Sequence, residues 1–261
     1  MNSLDFHKKK INHEKISMIT CYDYTSACIL SHTNIDCILV GDTAAMTMHG
    51  FSDTVLATID MMSYHTAAVS RGAKNKFIIG DLPFLSYRQS LNKNMEAVKV
   101  LMQAGAQAIK LEGATGNLKF IRHLSDSGIP VIGHIGLTPQ FIHRLGGYKV
   151  QGKTDASAGE LKSDAVKLEN AGCIAIVLEC VPTHLAKEIT TLLTIPTIGI
   201  GAGPFTDGQV LVFQDLLGLN PNFKAKFVKQ FLNGFEQIKT SVDTFVNAIH
   251  TGEFPSDEHS Y

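Results

Sequence analysis

The chain has 261 residues, of which 44% are hydrophobic and 18% are charged, with 23 basic and 24 acidic side chains and a formal net charge of −1. This composition is typical of a globular protein and excludes a disordered chain, and the balanced charge gives no indication of a nucleic-acid or membrane-surface partner. No stretch approaches the roughly 20 apolar residues of a membrane helix, and no signal peptide follows the N-terminal lysines. The five cysteines lie mostly in apolar runs, as reduced core residues do, so we expect a soluble, cytoplasmic protein.

Short apolar segments alternate along the chain with segments of helical periodicity. After an N-terminal helix or arm at 1–16, strands are predicted at 16–21, 37–43, 77–81, 106–112, 131–134, 173–179, 196–199 and 209–214. Helices are predicted at 25–31, 61–71, 92–104, 117–127, 160–170 and 184–193, and one or two closing helices at 223–251. Gly72 is predicted to be the C′ residue that follows the helix 61–71 and ends it. Long loops are predicted at 44–60 and 136–159, where a strand should lead into an active-site loop.

This alternation predicts an α/β fold with a parallel sheet and right-handed crossovers. Eight strands in a chain of this length favour a (β/α)8 TIM barrel with additional C-terminal helices, for which about 250 residues is typical. An open doubly wound sheet has the same local pattern and remains an alternative. Because no linker or repeat interrupts the pattern, we expect one barrel domain spanning residues 1–261.

Carboxylates stand where three successive predicted strands end: Asp42, Asp81 and Glu112. A barrel gathers the carboxyl ends of its strands at one rim, where three acids repel each other unless a cation is present. Oxygen ligands of this kind suit Mg²⁺, so the pattern favours a magnesium site. The alternative interpretation is that each acid caps a helix or pairs with a lysine.

Three further side chains are candidates for chemistry at the same rim. Lys110 is two residues from Glu112 and therefore shares its face, which makes it either the partner of the acids or a clamp for substrate charge. Glu179 ends the most apolar strand, where burial makes a carboxylate a stronger base, and is the predicted general base. It is followed by Cys180, interpreted as a small buried side chain. His134 is interpreted as a hydrogen-bonding group near the substrate, with metal ligation, acid–base catalysis and a core position as alternatives.

The run Gly199-Ile200-Gly201-Ala202-Gly203 differs from a dinucleotide fingerprint, because Pro204 interrupts it and it falls late in the chain. It is interpreted as a loop after the seventh strand that lets backbone approach a ligand.

Several motifs together resemble the ketopantoate hydroxymethyltransferase family, from about Thr20 to the C-terminus. They are Thr20-Cys21-Tyr22-Asp23-Tyr24, Leu39-Val40-Gly41-Asp42, Tyr64-His65-Thr66-Ala67-Ala68-Val69, Asp81-Leu82-Pro83-Phe84, Lys110-Leu111-Glu112-Gly113, Gly133-His134-Ile135-Gly136-Leu137-Thr138-Pro139-Gln140, Gly146-Gly147-Tyr148-Lys149-Val150-Gln151-Gly152, Leu178-Glu179-Cys180-Val181-Pro182 and the glycine run above.

The resemblance implies a barrel enzyme of pantothenate biosynthesis that transfers a hydroxymethyl group from 5,10-methylenetetrahydrofolate to 3-methyl-2-oxobutanoate, giving 2-dehydropantoate through a Mg²⁺-stabilised enolate. By matching position, it implies that Asp42, Asp81 and Glu112 bind Mg²⁺. It also implies that the substrate is bound by Asp42, Thr43, Asp81 and Lys110. It implies Glu179 as the base and a homodecamer. The sequence departs from the family pattern in three places. Thr43 stands where the family usually has serine, and Ala44-Ala45 stands where leucine-glycine is more usual. Pro204-Phe205 follows the glycine loop where asparagine is common.

Two competing functions use the same residues. A Mg²⁺-dependent carbon–carbon lyase of the phosphoenolpyruvate mutase type would act on a 2-oxo acid without folate. A catalytically silent barrel would bind a 2-oxo acid as a sensor. No short motif marks a folate pocket.

Overall fold

The computed structural model describes residues 1–222 and 225–261. Eight parallel strands close into a barrel in the order β1-β2-β3-β4-β5-β6-β7-β8. The strands are β1 Ile16–Thr20, β2 Cys37–Val40, β3 Phe77–Asp81, β4 Ala108–Glu112, β5 Val131–Gly136, β6 Cys173–Glu179, β7 Thr197–Ile200 and β8 Gly208–Leu211. The pairing of β1 with β8 closes the cylinder, so the predicted (β/α)8 barrel is confirmed and the open sheet is excluded.

Helices connect the strands. They are α1 Ser3–Ile11, α2 Tyr24–Ser31, α3 Ala44–Thr47, α4 Ile59–Gly72, α5 Leu91–Gln103, α6 Leu118–Asp126, α7 Ile142–Leu145, α8 Asp155–Ala171, α9 Thr183–Leu192, α10 Phe213–Leu216 and α11 Gly234–Thr251. Short 3₁₀ helices occupy Thr54–Leu56, Pro139–Phe141 and Asp257–His259. No helix within the described ranges is both long and apolar enough to cross a bilayer.

The chain divides into two compact units, Met1–Leu211 and Val212–Tyr261. The first unit holds the barrel, and the second holds α10, α11 and the last 3₁₀ helix. Of the segment 223–251 predicted to close the chain with helices, 234–251 is helical, while Phe223 and Lys224 lie outside the described residues. The single domain over 1–261 stays a prediction.

The barrel interior is filled by apolar side chains at the N-terminal end of the strands. Ile16, Met18, Phe77 and Ile79 belong to one buried cluster that also contains Phe6 of α1. The Phe6 and Phe77 rings meet edge to face with their centroids 5.5 Å apart.

Salt bridges hold α1 against the N-terminal ends of two strands. Lys9 pairs with Asp36 at 3.0 Å, just before β2, and Lys10 pairs with Asp207 at 2.9 Å, just before β8. The helix α1 therefore covers the end of the barrel opposite the strand termini where chemistry is expected.

Several predicted bounds differ from those of the structure, and two of the differences have a local physical reason. The loop predicted at 44–60 contains α3 and a 3₁₀ turn, and α8 begins at Asp155 rather than at 160 because Thr154 forms a capping box with Ser157. Gly72 is the last residue of α4 and not its C′ residue: a Cβ there would lie 2.7 Å from the carbonyl oxygen of Tyr24, so the glycine permits a close approach of α2. The eighth strand ends at Leu211, three residues before the predicted end.

Candidate active site

Five neighbouring strands place ionisable side chains on one arc at the C-terminal mouth of the barrel. They are Asp42 after β2, Asp81 at the end of β3, Lys110 and Glu112 on β4, His134 on β5, and Glu179 at the end of β6. The strand register sets Asp81 beside Lys110 and Glu112 beside His134. The predicted site residues are therefore neighbours in space, as expected from the carboxyl ends of parallel strands.

Lys110 pairs with the acids and does not extend outward between helices. Its Nζ donates to both carboxylate oxygens of Asp81, at 2.8 and 2.7 Å, and lies 3.7 Å from Glu112 Oε1. Burial lowers the pKa of Lys110, but the charges of Asp81 and Glu112 outweigh it and raise the pKa above its usual value. The lysine is therefore a permanent cation inside the site.

His134 lies between two acids. Its Nδ1 is 3.3 Å from Glu112 Oε1, and its Nε2 is 3.2 Å from Glu179 Oε2. Burial and the charge of Lys110 lower the pKa of His134, but the contacts with Glu112 and Glu179 are stronger and raise it to about 9. Neither ring nitrogen of His134 makes a hydrogen bond of good geometry within the described residues. The histidine is therefore an imidazolium near neutral pH that holds the two carboxylates by charge.

Glu179 differs from the other acids in its access to solvent. Its side chain is 16% exposed, whereas those of Asp81 and Glu112 are each 1% exposed. Among the described residues only His134 binds it, through Oε2, and Oε1 has no partner. A carboxylate with one oxygen held and one open is positioned to accept a proton from a ligand in the mouth.

The surroundings of Asp42 strongly disfavour its charged form. Burial raises its pKa well above the usual value, the charge of Asp81 raises it further, and Lys110 only partly offsets them. The pKa of Asp81 is raised as well, by burial above all and against the effect of Lys110. Asp42 and Asp81 thus have more negative charge around them than Lys110 neutralises, and the other cation of the site, His134, contacts Glu112 and Glu179. This favours a further cation beside Asp42 and Asp81.

The donor atoms suit a hard divalent cation. Asp42, Asp81 and Glu112 offer only carboxylate oxygens, and the backbone N–H of Asp42 lies 3.2 Å from Asp81 Oδ2, so two of these acids are adjacent. Glu112 Oε1 is buried without a hydrogen-bond partner in the described residues. Magnesium is usually held by one or two carboxylates, with water and substrate completing its shell. The chemistry of the site therefore fits Mg²⁺.

The side chains of Asp42, Asp81 and Glu112 do not by themselves form a complete three-ligand metal site. Across 1–222 and 225–261, no three His, Cys, Asp or Glu side chains are arranged to hold one ion. Lys110 donates to both oxygens of Asp81, while Glu112 Oε2 accepts from the backbone N–H of Gln140 at 3.1 Å and Glu112 Oε1 has no hydrogen-bond partner in the described residues. Ligation by all three acids stays a prediction.

Thr43 lies directly after Asp42 and begins α3 without capping it through its side chain. Ala44 and Ala45, two of the residues that depart from the family pattern, are fully buried in this helix, and the Ala45 carbonyl accepts from the N–H of Phe51. The chain after α3 is tied back by a contact of 2.8 Å between the Nε2 atoms of His49 and His65. The small side chains therefore let the short helix after Asp42 and Thr43 pack closely against its surroundings.

The glycine run and Cys180 border the other side of the mouth. Gly201 and Gly203 have positive φ, and a Cβ on Gly203 would lie 2.6 Å from the side chain of Thr183. Cys180 also has positive φ, at 47°, and burial together with the charge of Glu179 raises its pKa to about 11. Its thiol is therefore protonated and a poor nucleophile near neutral pH, although the residue is partly buried and not fully buried as interpreted from sequence.

Two residues of the site had no role in the sequence-based prediction. Gln140 lies in a quoted motif but gave no signal of its own, and Tyr87 lies in no motif. Both are buried, and the Tyr87 hydroxyl donates to Gln140 Oε1 at 2.7 Å. Gln140 Nε2 in turn donates to Asp42 Oδ2 at 2.8 Å. No pattern of spacing could have found them, because loops bring them to the acids.

Solved structures share the fold at low sequence identity. A putative phosphonomutase from Burkholderia cenocepacia J2315 superposes with a TM-score of 0.65 at 11% identity, covering 95% of this chain and 99% of that one. Phosphonopyruvate hydrolase in complex with oxalate and Mg²⁺ superposes with a TM-score of 0.64 at 11% identity, covering 99% and 93%. At this identity the likeness concerns the barrel alone.

Sequence relatives are much closer. A family model described as ketopantoate hydroxymethyltransferase matches residues 1–257. Proteins named 3-methyl-2-oxobutanoate hydroxymethyltransferase are 60% identical in Coxiella burnetii (strain CbuK_Q154), over 100% of this chain and 99% of the relative, and 57% identical in Bdellovibrio bacteriovorus, over 99% and 98%. The relative in Francisella tularensis subsp. tularensis is 55% identical over 99% and 97%. This chain, an enzyme, belongs to the ketopantoate hydroxymethyltransferase family.

Proposed function

We propose that this enzyme transfers a hydroxymethyl group from 5,10-methylenetetrahydrofolate to 3-methyl-2-oxobutanoate, giving 2-dehydropantoate for pantothenate biosynthesis. Family membership supports the reaction class. The observation that carries the assignment to this chain is the buried arc in which Asp81 and Glu112 pair with Lys110, Asp42 lies beside Asp81, and Glu179 stands open at the mouth.

Substrate binding is assigned to the deep part of the arc. Asp42 and Asp81, with Glu112, would hold Mg²⁺, which when bound supplies Lewis-acid polarisation of the substrate's keto oxygen, worth several kcal/mol. Lys110 adds a fixed positive charge beside the same oxygen, and Thr43 offers a hydroxyl next to Asp42. A 2-oxo acid carries a carboxylate and a keto oxygen that match these cationic and hydroxyl groups.

Proton removal is assigned to Glu179. This carboxylate takes the proton from C3 of the oxo acid, and the electron pair of the broken C–H bond moves toward the keto oxygen. The C3 carbon then bonds to the methylene carbon of the folate as the first of its two C–N bonds breaks. Water bonds its oxygen to the same carbon as the second C–N bond breaks, and the proton from C3 and one proton from water end on the two folate nitrogens. His134 orients Glu179 through its Oε2 contact, and a positioned base of this kind contributes about 10² to 10⁴-fold in rate.

The test is to follow 2-dehydropantoate by mass spectrometry with both substrates, without the folate, and with a chelator. Product is expected only with both substrates and the metal. In addition, Glu179→Gln should abolish deuterium exchange at C3 while the oxo acid still binds. The control is Glu188→Gln, an exposed acid that pairs with Lys162 on the barrel surface. Exchange that survives in Glu179→Gln at the wild-type rate would refute Glu179 as the base.

The competing lyase would cleave a 2-oxo acid without folate, so product formed in the absence of folate would favour it. The solved neighbours support that alternative only through the shared barrel. A sensor would form no product in any of these assays. A homodecamer in the cytoplasm belongs to the proposal as well.

A further inference from the structure

Gln140 connects two of the acids that the proposed function assigns to the metal. It lies in the 3₁₀ helix Pro139–Phe141 that follows β5, and it is 1% exposed. Its Nε2 donates to Asp42 Oδ2 at 2.8 Å, and its backbone N–H donates to Glu112 Oε2 at 3.1 Å. One residue thus holds the carboxylate that follows β2 and the carboxylate that ends β4.

The orientation of the Gln140 amide is determined by its surroundings. Its nitrogen faces two acceptors, Asp42 Oδ2 and the Leu82 carbonyl oxygen at 2.9 Å, while its oxygen faces the hydroxyl of Tyr87 at 2.7 Å. A flipped amide would set its oxygen against two acceptors. The amide therefore has one favourable orientation.

Tyr87 is fixed in turn by β4. Its hydroxyl has a single proton, which goes to Gln140 at 2.7 Å, and the hydroxyl oxygen accepts from the Glu112 N–H at 3.3 Å. The hydrogen bonds therefore form a ring in which Glu112 orients Tyr87, Tyr87 orients Gln140, and Gln140 holds both Asp42 and Glu112. Groups that orient metal ligands in this way typically change metal affinity by 10–100-fold when removed.

We propose that Gln140, oriented by Tyr87, is a positioning residue that sets the carboxylates of Asp42 and Glu112 for the divalent cation. The inference rests on the proposed function, which places the cation on these acids. It assigns to Gln140 a role beyond packing, because both polar atoms of its side chain and its backbone N–H have partners within the site.

The test measures Mn²⁺ binding to the metal-free protein by electron paramagnetic resonance, without substrates or turnover. Gln140→Met keeps the length of the side chain and removes the amide, and it should weaken Mn²⁺ binding by about 10–100-fold. Tyr87→Phe removes the orienting hydroxyl and should weaken binding less. The control is Gln107→Met, which removes a side-chain amide whose oxygen accepts from the Ile78 N–H near the start of β3. It should bind Mn²⁺ as wild type does.

A double-mutant cycle separates positioning from general loosening of the fold. If Tyr87 acts through Gln140, the Tyr87→Phe/Gln140→Met double variant should bind Mn²⁺ no more weakly than Gln140→Met alone. Wild-type affinity in Gln140→Met, or fully additive losses in the cycle, would overturn the proposal. If Gln140→Met fails to fold, Tyr87→Phe alone is the test. A Mn²⁺ affinity of Tyr87→Phe equal to that of Gln107→Met would then overturn the proposal.

Failure of the proposed function gives a different result. If the reaction is instead that of the lyase, the product assay changes while Mn²⁺ binding and its dependence on Gln140 remain. If the acids hold no metal, wild type itself would bind no Mn²⁺, and the positioning role would fall with the metal site. Wild type that binds Mn²⁺ while Gln140→Met binds it equally well would remove only the role of Gln140.

Discussion

Asp215 is a carboxylate whose environment disfavours its charge. It lies in the short helix α10, and burial raises its pKa to about 6, against 3.8 for the ordinary group. The folded chain therefore keeps the proton up to about pH 6, whereas the unfolded chain loses it near pH 4. Between these values the folded state binds more protons, so this group lowers the stability of the fold as the pH rises from about 4 to 6.

Replacing Asp215 with asparagine should remove this pH dependence. We expect Asp215→Asn to raise the free energy of unfolding by about 1 kcal/mol at pH 7, after allowance for solvent screening of a partly exposed group, and to leave it unchanged at pH 4. Urea titrations at pH 4, 5 and 7 measure it. Asp243→Asn, at an exposed position of α11, is the matched control. An equal gain at every pH would contradict the assignment to the proton.

Residues of the site differ in how far sequence could predict them. Asp81 and Glu112 end strands, and Lys110 shares a strand face with Glu112, so the two-residue period of a strand indicated all three. Gln140 and Tyr87 lie beyond strand ends, where no period applies, and their partners are set by loop conformation. The imidazolium state of His134 also required the structure, because two acids from other strands create it.

The helix α11 carries an apolar stripe that faces solvent in the single chain. Its members are Phe235, Ile238, Val242, Phe245, Val246 and Ile249, all between 39% and 56% exposed. At 100° per residue they lie on one side of the helix, which is the pattern of a helix that packs against another surface. Exposed apolar surface of this kind marks interaction sites in soluble proteins. The proposed homo-oligomer would cover it.

A charge within this stripe should therefore disrupt the oligomer. We expect Val242→Glu, in the middle of the stripe, to reduce the mass measured by light scattering after size exclusion. Thr240→Glu lies on the opposite side of the same helix and should leave the mass unchanged. An unchanged mass in Val242→Glu would exclude α11 from the assembly contacts.

Elements with strong local signals were the most predictable ones. The strands β3 and β6 match their predicted bounds, since each is a continuous apolar run ending on an acid. The start of α8 was wrong by five residues because the hydrophobic period begins later than the cap at Thr154. Similarly, Gly72 was interpreted as a stop signal, although its role depends on α2, a neighbour that local sequence does not reveal.

At the scale of the whole molecule, the alternation of strands and helices predicted the layers but not their closure. An open sheet and a barrel share that alternation, and they differ only in whether the first and last strands meet. Here Ile16 pairs with Gly208, a contact between residues far apart in the sequence. A Cβ on Gly208 would lie 2.4 Å from the Ile16 carbonyl oxygen, so the seam that closes the cylinder requires glycine.

Because α1 covers the far end of the barrel, reactants share one entrance. Asp81 and Lys110 lie deeper than Glu179, since their side chains are 1% and 5% exposed against 16%. The oxo acid should then bind first, the folate second, and release should follow the reverse sequence. Steady-state kinetics of compulsory order are the consequence: an unreactive folate analogue should compete with the folate donor and be uncompetitive toward the oxo acid. Noncompetitive inhibition toward the oxo acid would indicate that the two ligands arrive independently.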